Sequence, residues 1–469
     1  MPKPFWTSGE IGAATGGTLS GLAFAATGVS IDTRSLEPGD LFVALAGVRD
    51  GHEFVEAAMR AGAAGVLATQ PVQAPAVLVR DTQAALEALG LAARERAPSA
   101  KRGAVTGSVG KTSVTQAIAA GLRKAGRAHS SVKSYNNHIG VPLTLARMPA
   151  DAERAVFEIG MNHADEIRPL ANMVRPHAAV VTTVGPVHME NFAEGEQGVA
   201  LAKAEIFEGL VPGGLAVLNA DNPWFELLAE RARAAGAKIA SFGSAATCDA
   251  RLLSIEPLAE GGGRIRAEFR GRALDFKIAP EGAFWGLNSL AILLMLEALD
   301  ASLEDGLEAL AEFGPLAGRG QVREVAIAGG GFTLVDESYN ANPVSMAAVI
   351  ATLGARPAAG RRVVALTDML ELGPDSPALH AGLAEAIDAA KVDLVFCAGP
   401  LMHHLWSALP AKVRGAHAPD AASLAPQVKA AVRPGDVVLV KGSNGSKASL
   451  VAEALSRFEA AATPAGEGR

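Results

Sequence analysis

Short, fully apolar runs recur along this chain, separated by longer stretches in which apolar residues return at helical spacing. That alternation predicts α/β layers. Near the start, Val29–Asp32, Leu41–Ala44, Val66–Ala68 and Val77–Val79 read as strands, with Glu53–Arg60 and Thr82–Arg96 as helices. Further on, Ala104-Val105, the run from Ala155 to Gly160, Ala179–Thr183 and Leu215–Leu218 read as buried strands. The first of these leads through a glycine-rich turn into a helical pattern that lasts to about Lys124. The region 245–280 reads as short antiparallel strands, Ile265–Phe269 and Ala273–Ile278, about the turn Arg270-Gly271-Arg272. Asn288 is expected to cap a helix over Ser289–Leu299. Phe332–Val335, Val363–Thr367, Leu394–Ala398 and Val437–Lys441, with helices between them, predict a second doubly wound sheet. Pro98-Ser99 and the stretch Gly314-Pro315 to Gly318 are natural breaks. The expected fold is therefore α/β in three domains. A small α/β domain covers 1–98, a central ATPase domain with a parallel sheet, like that of P-loop proteins, covers 99–314, and a Rossmann-like domain covers 315–469.

Composition narrows the partners. At 469 residues the chain is too long for one ordinary core, and with 49% hydrophobic residues each domain can bury its own. Net charge is −7 with both signs interspersed and no basic patch, which argues against nucleic acid. Two distant cysteines, Cys248 and Cys397, fit a reducing cytoplasm rather than a disulfide framework. The opening MPKPFWTSGEIG lacks an apolar signal core, and the longest apolar helical pattern, about Leu290–Leu299, is too short for stable membrane insertion. No coiled-coil pattern is present, so a monomer is expected.

The candidate chemistry centres on RGAVTGSVGKTSVT. A strand, the loop Gly107-Ser108-Val109-Gly110-Lys111-Thr112-Ser113 and a helix make a phosphate cradle. Glycines let backbone N–H groups turn toward an anion, and the helix start adds its positive dipole end. Lys111 can reach the terminal phosphates and the Thr112 hydroxyl can ligate Mg²⁺. The ordinary P-loop places a further glycine where this chain has Val105, so the loop is a shorter variant. Glu158 ends a buried strand, where a nucleotide's Mg²⁺ finds its second protein ligand. His188 follows the next strand. Asn136, Asn137 and His138 sit in a turn-rich stretch and can either bond a ligand or cap a helix. Arg34, beside Thr33, and Arg49 can pair with a phosphate, although solvated loops are the plainer reading. Lys203 on its helix reads by itself as a solvated surface lysine. No NKxD tetrapeptide is present, which disfavours a GTP switch. A cradle between domains suits a closing, two-substrate transferase or ligase.

These stretches together resemble the Mur ligase family over nearly the whole chain. TGSVGKTS is similar to the family's phosphate loop, and YNNHIGVPLTL, FEIGMNHADEI, GPVHMENF and KAEIFEGL follow in family order. SIDTRSLEPGDLFVAL in the first domain and TDMLELG and VLVKGSNGS in the last complete the set. DESYNANPVSM is the most specific match, to the member that finishes the peptidoglycan precursor. The resemblance implies that D-alanyl-D-alanine is joined to UDP-N-acetylmuramoyl-tripeptide through an acyl phosphate, at the expense of ATP and with two Mg²⁺ ions. It implies that Gly107 to Ser113 cradle ATP, with Lys111 on the β/γ-phosphates, and that Asn288, Arg319 and Asp336 meet the base, ribose or phosphates. Thr112, Glu158, His188 and a carbamylated Lys203 would hold metal. Thr33 and Arg34 would take the uridine nucleotide, Asn136, Asn137 and His138 the muramoyl-peptide, and Tyr339, Asn340 and Asn342 the ATP and dipeptide side. The first domain would bind the UDP substrate, and the last would close on ATP and the dipeptide. Three positions depart from common versions: the acidic pair reads Asp336-Glu337, the last loop has Asn444 where Arg is common, leaving Lys447 as a substitute, and His138 stands where an acid is frequent. The competing readings are a sister ligase that adds a single amino acid, and a non-enzymatic ATP-binding regulator.

Overall fold

A computed structural model describes residues 5–47, 49–132, 134–187, 189–258 and 261–458. Three sheets carry the architecture, each flanked by helices. The first has five strands in the spatial order Thr18–Ser20, Ala76–Leu78, Gly65–Ala68, Asp40–Val43, Gly28–Ser30, all parallel except the first. Its helix Thr82–Arg96 begins where the side chain of Asp81 accepts from the N–H groups of Gln83 and Ala84, the interaction that fixes a helix start. A further helix, Ser8–Thr15, is announced only by the Thr7/Glu10 capping box, because it buries little besides Ile11 and shows no apolar stripe. This first unit sits directly on the next. Leu143 and Ala146 of the helix Gly140–Ala146 pack into its core, and the Trp6 indole donates to the Ala146 carbonyl.

The central sheet has nine strands. Its parallel part places Lys101–Thr106 between Arg154–Glu158 and Ala178–Val181, with Leu215–Asn219 and Lys238–Gly243 beyond. Both faces of these strands are buried, one against the helices around Ile167–Val174 and Glu196–Ala204, the other against Lys111–Ala125 and Phe284–Ala298. The chain runs out to one side of Lys101–Thr106 and returns on the other. The carboxyl end of that strand is therefore a topological switch point, where open α/β sheets form a ligand crevice. The antiparallel strands expected over 245–280 do not stand apart. Ala250–Pro257, Gly263–Phe269 and Arg272–Ile278 extend the same sheet, with Ala250 and Arg251 pairing in parallel with Phe242 and Gly243.

The last sheet has six strands in the order Gln321–Ile327, Gly330–Glu337, Val437–Lys441, Arg362–Thr367, Leu394–Ala398, Arg414–Ala418, parallel after the first. Between Gly330–Glu337 and the next strand in the chain comes the helix Pro343–Ala355. Asn342 is its N-cap and Pro343 its first residue, where a missing N–H is harmless. Among the described residues, no helix is long and apolar enough to cross a membrane.

Candidate active site

The strand Lys101–Thr106 delivers Gly107 at φ +150° and Gly110 at φ +86°, and the helix Lys111–Ala125 starts at once. Val105, the position that departs from the ordinary P-loop, lies inside the strand and is fully buried, so the turn proper needs no glycine there. Gly107 is required by close approach: a Cβ on it would stand 1.9 Å from Thr182 Oγ1. The segment after Ala178–Val181 braces the loop. Thr182 Oγ1 donates to the Val109 carbonyl at 2.6 Å, and the Ser108 N–H donates to the Thr183 carbonyl at 2.8 Å. Lys111 Nζ donates to the Gly107 carbonyl at 2.7 Å, folded back over its own loop, and burial lowers its pKa.

Thr112 Oγ1 donates to Glu158 Oε2 at 2.7 Å, while Asn136 Nδ2 donates to Glu158 Oε1 at 2.7 Å. Glu158 is therefore a buried carboxylate held by two neutral donors, with Lys111 as the nearby cation. Lys203 is not the solvated lysine that its helix suggested. It is 2% exposed, burial and the adjacent Lys111 push its ammonium well below the ordinary lysine range, and no described residue bonds it. His188 lies outside the described residues.

The opposite wall comes from the last sheet and the loop before it. Arg319 lies 4.0 Å over the Tyr339 ring and donates from Nη2 to Ser134 Oγ at 3.3 Å; Ser134 Oγ in turn is 2.9 Å from Thr112 Oγ1. A polar chain thus crosses from Tyr339 to Glu158. Between the walls is a cavity of about 870 Å³, lined by Ser108 to Ser113, Ser134, Asn136, Glu158, Asn288, Arg319, Tyr339, Asn340 and Asn342 together with an apolar arm around Ile278, Phe284, Trp285 and Phe313.

Several expected roles change in detail. Asn288 is not a helix cap: the helix already begins at Phe284, and the Asn288 amide lies beside Gly110 in the cavity wall. Asn342 is the cap of its own helix, its Oδ1 accepting from the Ser345 N–H at 2.8 Å. Asp336 points away from the cavity and accepts from the Ser338 N–H, whereas Glu337 faces in. Strand alternation explains the exchange. Val335 and Glu337 share one face with their parallel neighbours Leu439 and Lys441, and all four line the cavity. Burial raises the Glu337 pKa and lowers that of Lys441, whose Nζ is 3.7 Å from Glu337 Oε2 and donates to the Asn340 carbonyl at 2.9 Å. Glu337 and Lys441 lie within motifs already singled out, DESYNANPVSM and VLVKGSNGS, but had no role of their own, and the period-two register was the signal that could have picked them out.

Thr33, Arg34, Asn137 and His138 are not part of this cavity. Arg34 is 88% exposed and paired in a fork with Asp32. Asn137 Oδ1 accepts from the Ile139 and Gly140 N–H groups, and His138 is exposed, its carbonyl accepting from Gln83.

A phosphate loop at a switch point, facing a second α/β sheet across a cleft, defines a nucleotide-dependent enzyme. Residues 105–296 match the Mur ligase middle domain and residues 318–444 the Mur ligase glutamate ligase domain. The chain belongs to the Mur ligase family. Among its relatives, UDP-N-acetylmuramoyl-tripeptide–D-alanyl-D-alanine ligase of Escherichia coli is 34% identical, covering 94% of this chain and 96% of the relative. The protein of the same name from Bacillus subtilis is 33% identical with the same coverage. Among solved structures, MurF from Acinetobacter baumannii superposes with a TM-score of 0.84 at 26% identity, over 98% of this chain and all of that one. MurF ligase from Thermotoga maritima in complex with ADP gives 0.76 at 26% identity, over 92% and 97%.

Proposed function

We infer that this chain is an ATP-dependent ligase that joins D-alanyl-D-alanine to UDP-N-acetylmuramoyl-tripeptide, yielding the pentapeptide precursor of peptidoglycan with release of ADP and phosphate. The observation that carries the reading is the phosphate loop facing the Tyr339–Asn342 loop across one cavity, in a chain whose full-length relatives bear that ligase's name. A carboxylate is a poor electrophile. The tripeptide's terminal carboxylate attacks the γ-phosphorus, the bond to the β–γ bridging oxygen breaks, and ADP departs. The dipeptide amine then adds to the acyl carbon, loses its proton, and phosphate leaves.

The residues divide this work by position. Gly107, Ser108, Val109, Gly110 and Ser113 offer the cradle, and Lys111 swings from the Gly107 carbonyl to the β/γ-phosphates. Asn288, from its helix beside Gly110, and Arg319, stacked on Tyr339, hold the nucleotide. Glu337, not Asp336, supplies the carboxylate on that wall. Tyr339, Asn340 and Asn342 border the incoming dipeptide, with Asn342 acting mainly through its cap. Asn136, tied to Glu158, faces the muramoyl-peptide, with Asn137 and His138 shaping the same loop. Thr33 and Arg34 in 1–98 take the uridine nucleotide, and 315–469 closes on 99–314.

Thr112 and Glu158 are buried, hard oxygen ligands of the kind Mg²⁺ takes. Thr112 Oγ1 and Glu158 would hold one ion, and His188 with Lys203 a second, after the Lys203 amine adds CO₂ and loses a proton to become a carbamate. The metal would neutralise charge crowded between carboxylate and triphosphate. We assign the enzyme to the cytoplasm as a monomer, because both acceptor and donor are water-soluble and one chain supplies every group used here. The test is product analysis with ATP, UDP-N-acetylmuramoyl-tripeptide and either D-alanyl-D-alanine or D-alanine. A pentapeptide formed only with the dipeptide supports the reading; turnover only with a single amino acid replaces it with a sister ligase.

A further inference from the structure

The helix Pro343–Ala355 forms a wall of the cleft along its whole length, about 20 Å at 1.5 Å per residue. It is fastened to the central sheet at both ends. Near its start, Tyr339 carries the stacked Arg319 that donates to Ser134, and Val344 packs against Gly185. Just past its end, Arg356 Nη2 donates to both oxygens of Glu281, at 2.6 and 2.5 Å, across 75 positions of sequence. Glu281 belongs to the turn between the strand Arg272–Ile278 and the helix that carries Asn288 to Gly110. Arg356 is itself rigidly set: its N–H donates to the Thr352 and Leu353 carbonyls, and Arg362 donates to its carbonyl. The two side chains are only 20% and 31% exposed, and both line the cavity at the end remote from Glu158.

An exposed ion pair within one domain adds little to stability. This one differs in place. It is partly desolvated and joins two separately folded sheets, so its loss frees the far end of a long lever over the apolar arm of the cavity. We propose that the Glu281–Arg356 pair is a positioning latch that sets the separation of the two nucleotide-cleft walls, and that nucleotide affinity depends on it. The affinity part rests on the nucleotide-binding reading above; the latch itself does not.

The test uses the full chain and the variants Glu281→Gln, Arg356→Gln and the charge exchange Glu281→Arg/Arg356→Glu. Small-angle scattering without nucleotide reads the latch, and calorimetric titration with ADP reads its consequence. Each single variant should scatter as a more extended particle and bind ADP about tenfold more weakly. The exchange should recover most of both, which separates a latch from a residue that merely stabilises its own sheet. Single variants that scatter and bind as the wild type overturn the proposal, as does an exchange that behaves no better than either single change. If the wild type binds no ADP, the nucleotide reading fails, and scattering alone decides the latch.

Discussion

Replacing Gly107 by Ala tests the phosphate loop where its geometry is least forgiving. The added methyl would sit 1.9 Å from Thr182 Oγ1, 3.1 Å from Thr182 Cβ and 3.2 Å from its backbone nitrogen, so either the loop or the Thr182 segment must move. Movement breaks the Thr182–Val109 hydrogen bond, about 1 kcal/mol. A non-glycine residue at φ +150° adds strain of about 1–3 kcal/mol. The sum, about 2–4 kcal/mol, corresponds to roughly 30- to 1000-fold weaker nucleotide binding if the cradle must regain its present shape to bind. Titration with ADP measures this directly. Thr182→Ala alone loses one hydrogen bond and should weaken ADP about fivefold. Added to Gly107→Ala, it should weaken ADP binding little further, because that hydrogen bond is already broken there and the backbone strain is unchanged. Wild-type affinity in Gly107→Ala, or losses that add in full in the double variant, would refute the steric account.

Register predicts that Glu337→Gln lowers ADP affinity or turnover at least tenfold while Asp336→Asn changes either by less than about threefold; equal effects would contradict the assignment of faces. Lys203→Ala should abolish phosphate release and recover some of it with millimolar formate or acetate, and absence of any rescue would leave the carbamate unsupported. Buried His129, whose ring is 2.7 Å from the Thr144 carbonyl, has its pKa pushed down from 6.5 to about 4. The unfolded chain therefore binds the proton first, so stability is full above the ordinary histidine pKa and falls as pH drops from about 6.5 toward 4. The loss approaches about 3 kcal/mol below that window. Urea unfolding at pH 7 and pH 5 should show a smaller difference in His129→Gln than in the wild type.

Strongly patterned elements were legible to the residue. Thr82–Arg96, Leu394–Ala398 and Val437–Lys441 begin and end where their periodicity and flanking caps place them. The phosphate loop and Glu158 were legible because a strand, two glycines and a strand-end acid are local signals. What failed was long-range or depended on facing. Lys203 looks like any helical lysine until Val199, Ala200, Ala202 and Ala204 are seen to be buried around it, and Ser8–Thr15 carries no stripe to announce it. Asn288 reads as a helix cap by default, whereas the buried Trp285 and Gly286 already lie inside the helix. Asp336 and Glu337 differ only in which side of a strand they occupy. The pairing of Glu281 with Arg356 has no sequence signature at all, since it exists only once two sheets meet.

The central claim is most directly tested by phosphate release from ATP with UDP-N-acetylmuramoyl-tripeptide and Mg²⁺, with D-alanyl-D-alanine or D-alanine as the amine. The account predicts steady release and a pentapeptide product with the dipeptide alone. Release with D-alanine but not the dipeptide would contradict the substrate assignment, and tight ADP binding without turnover under any pairing would contradict the reading of this cleft as a ligase site.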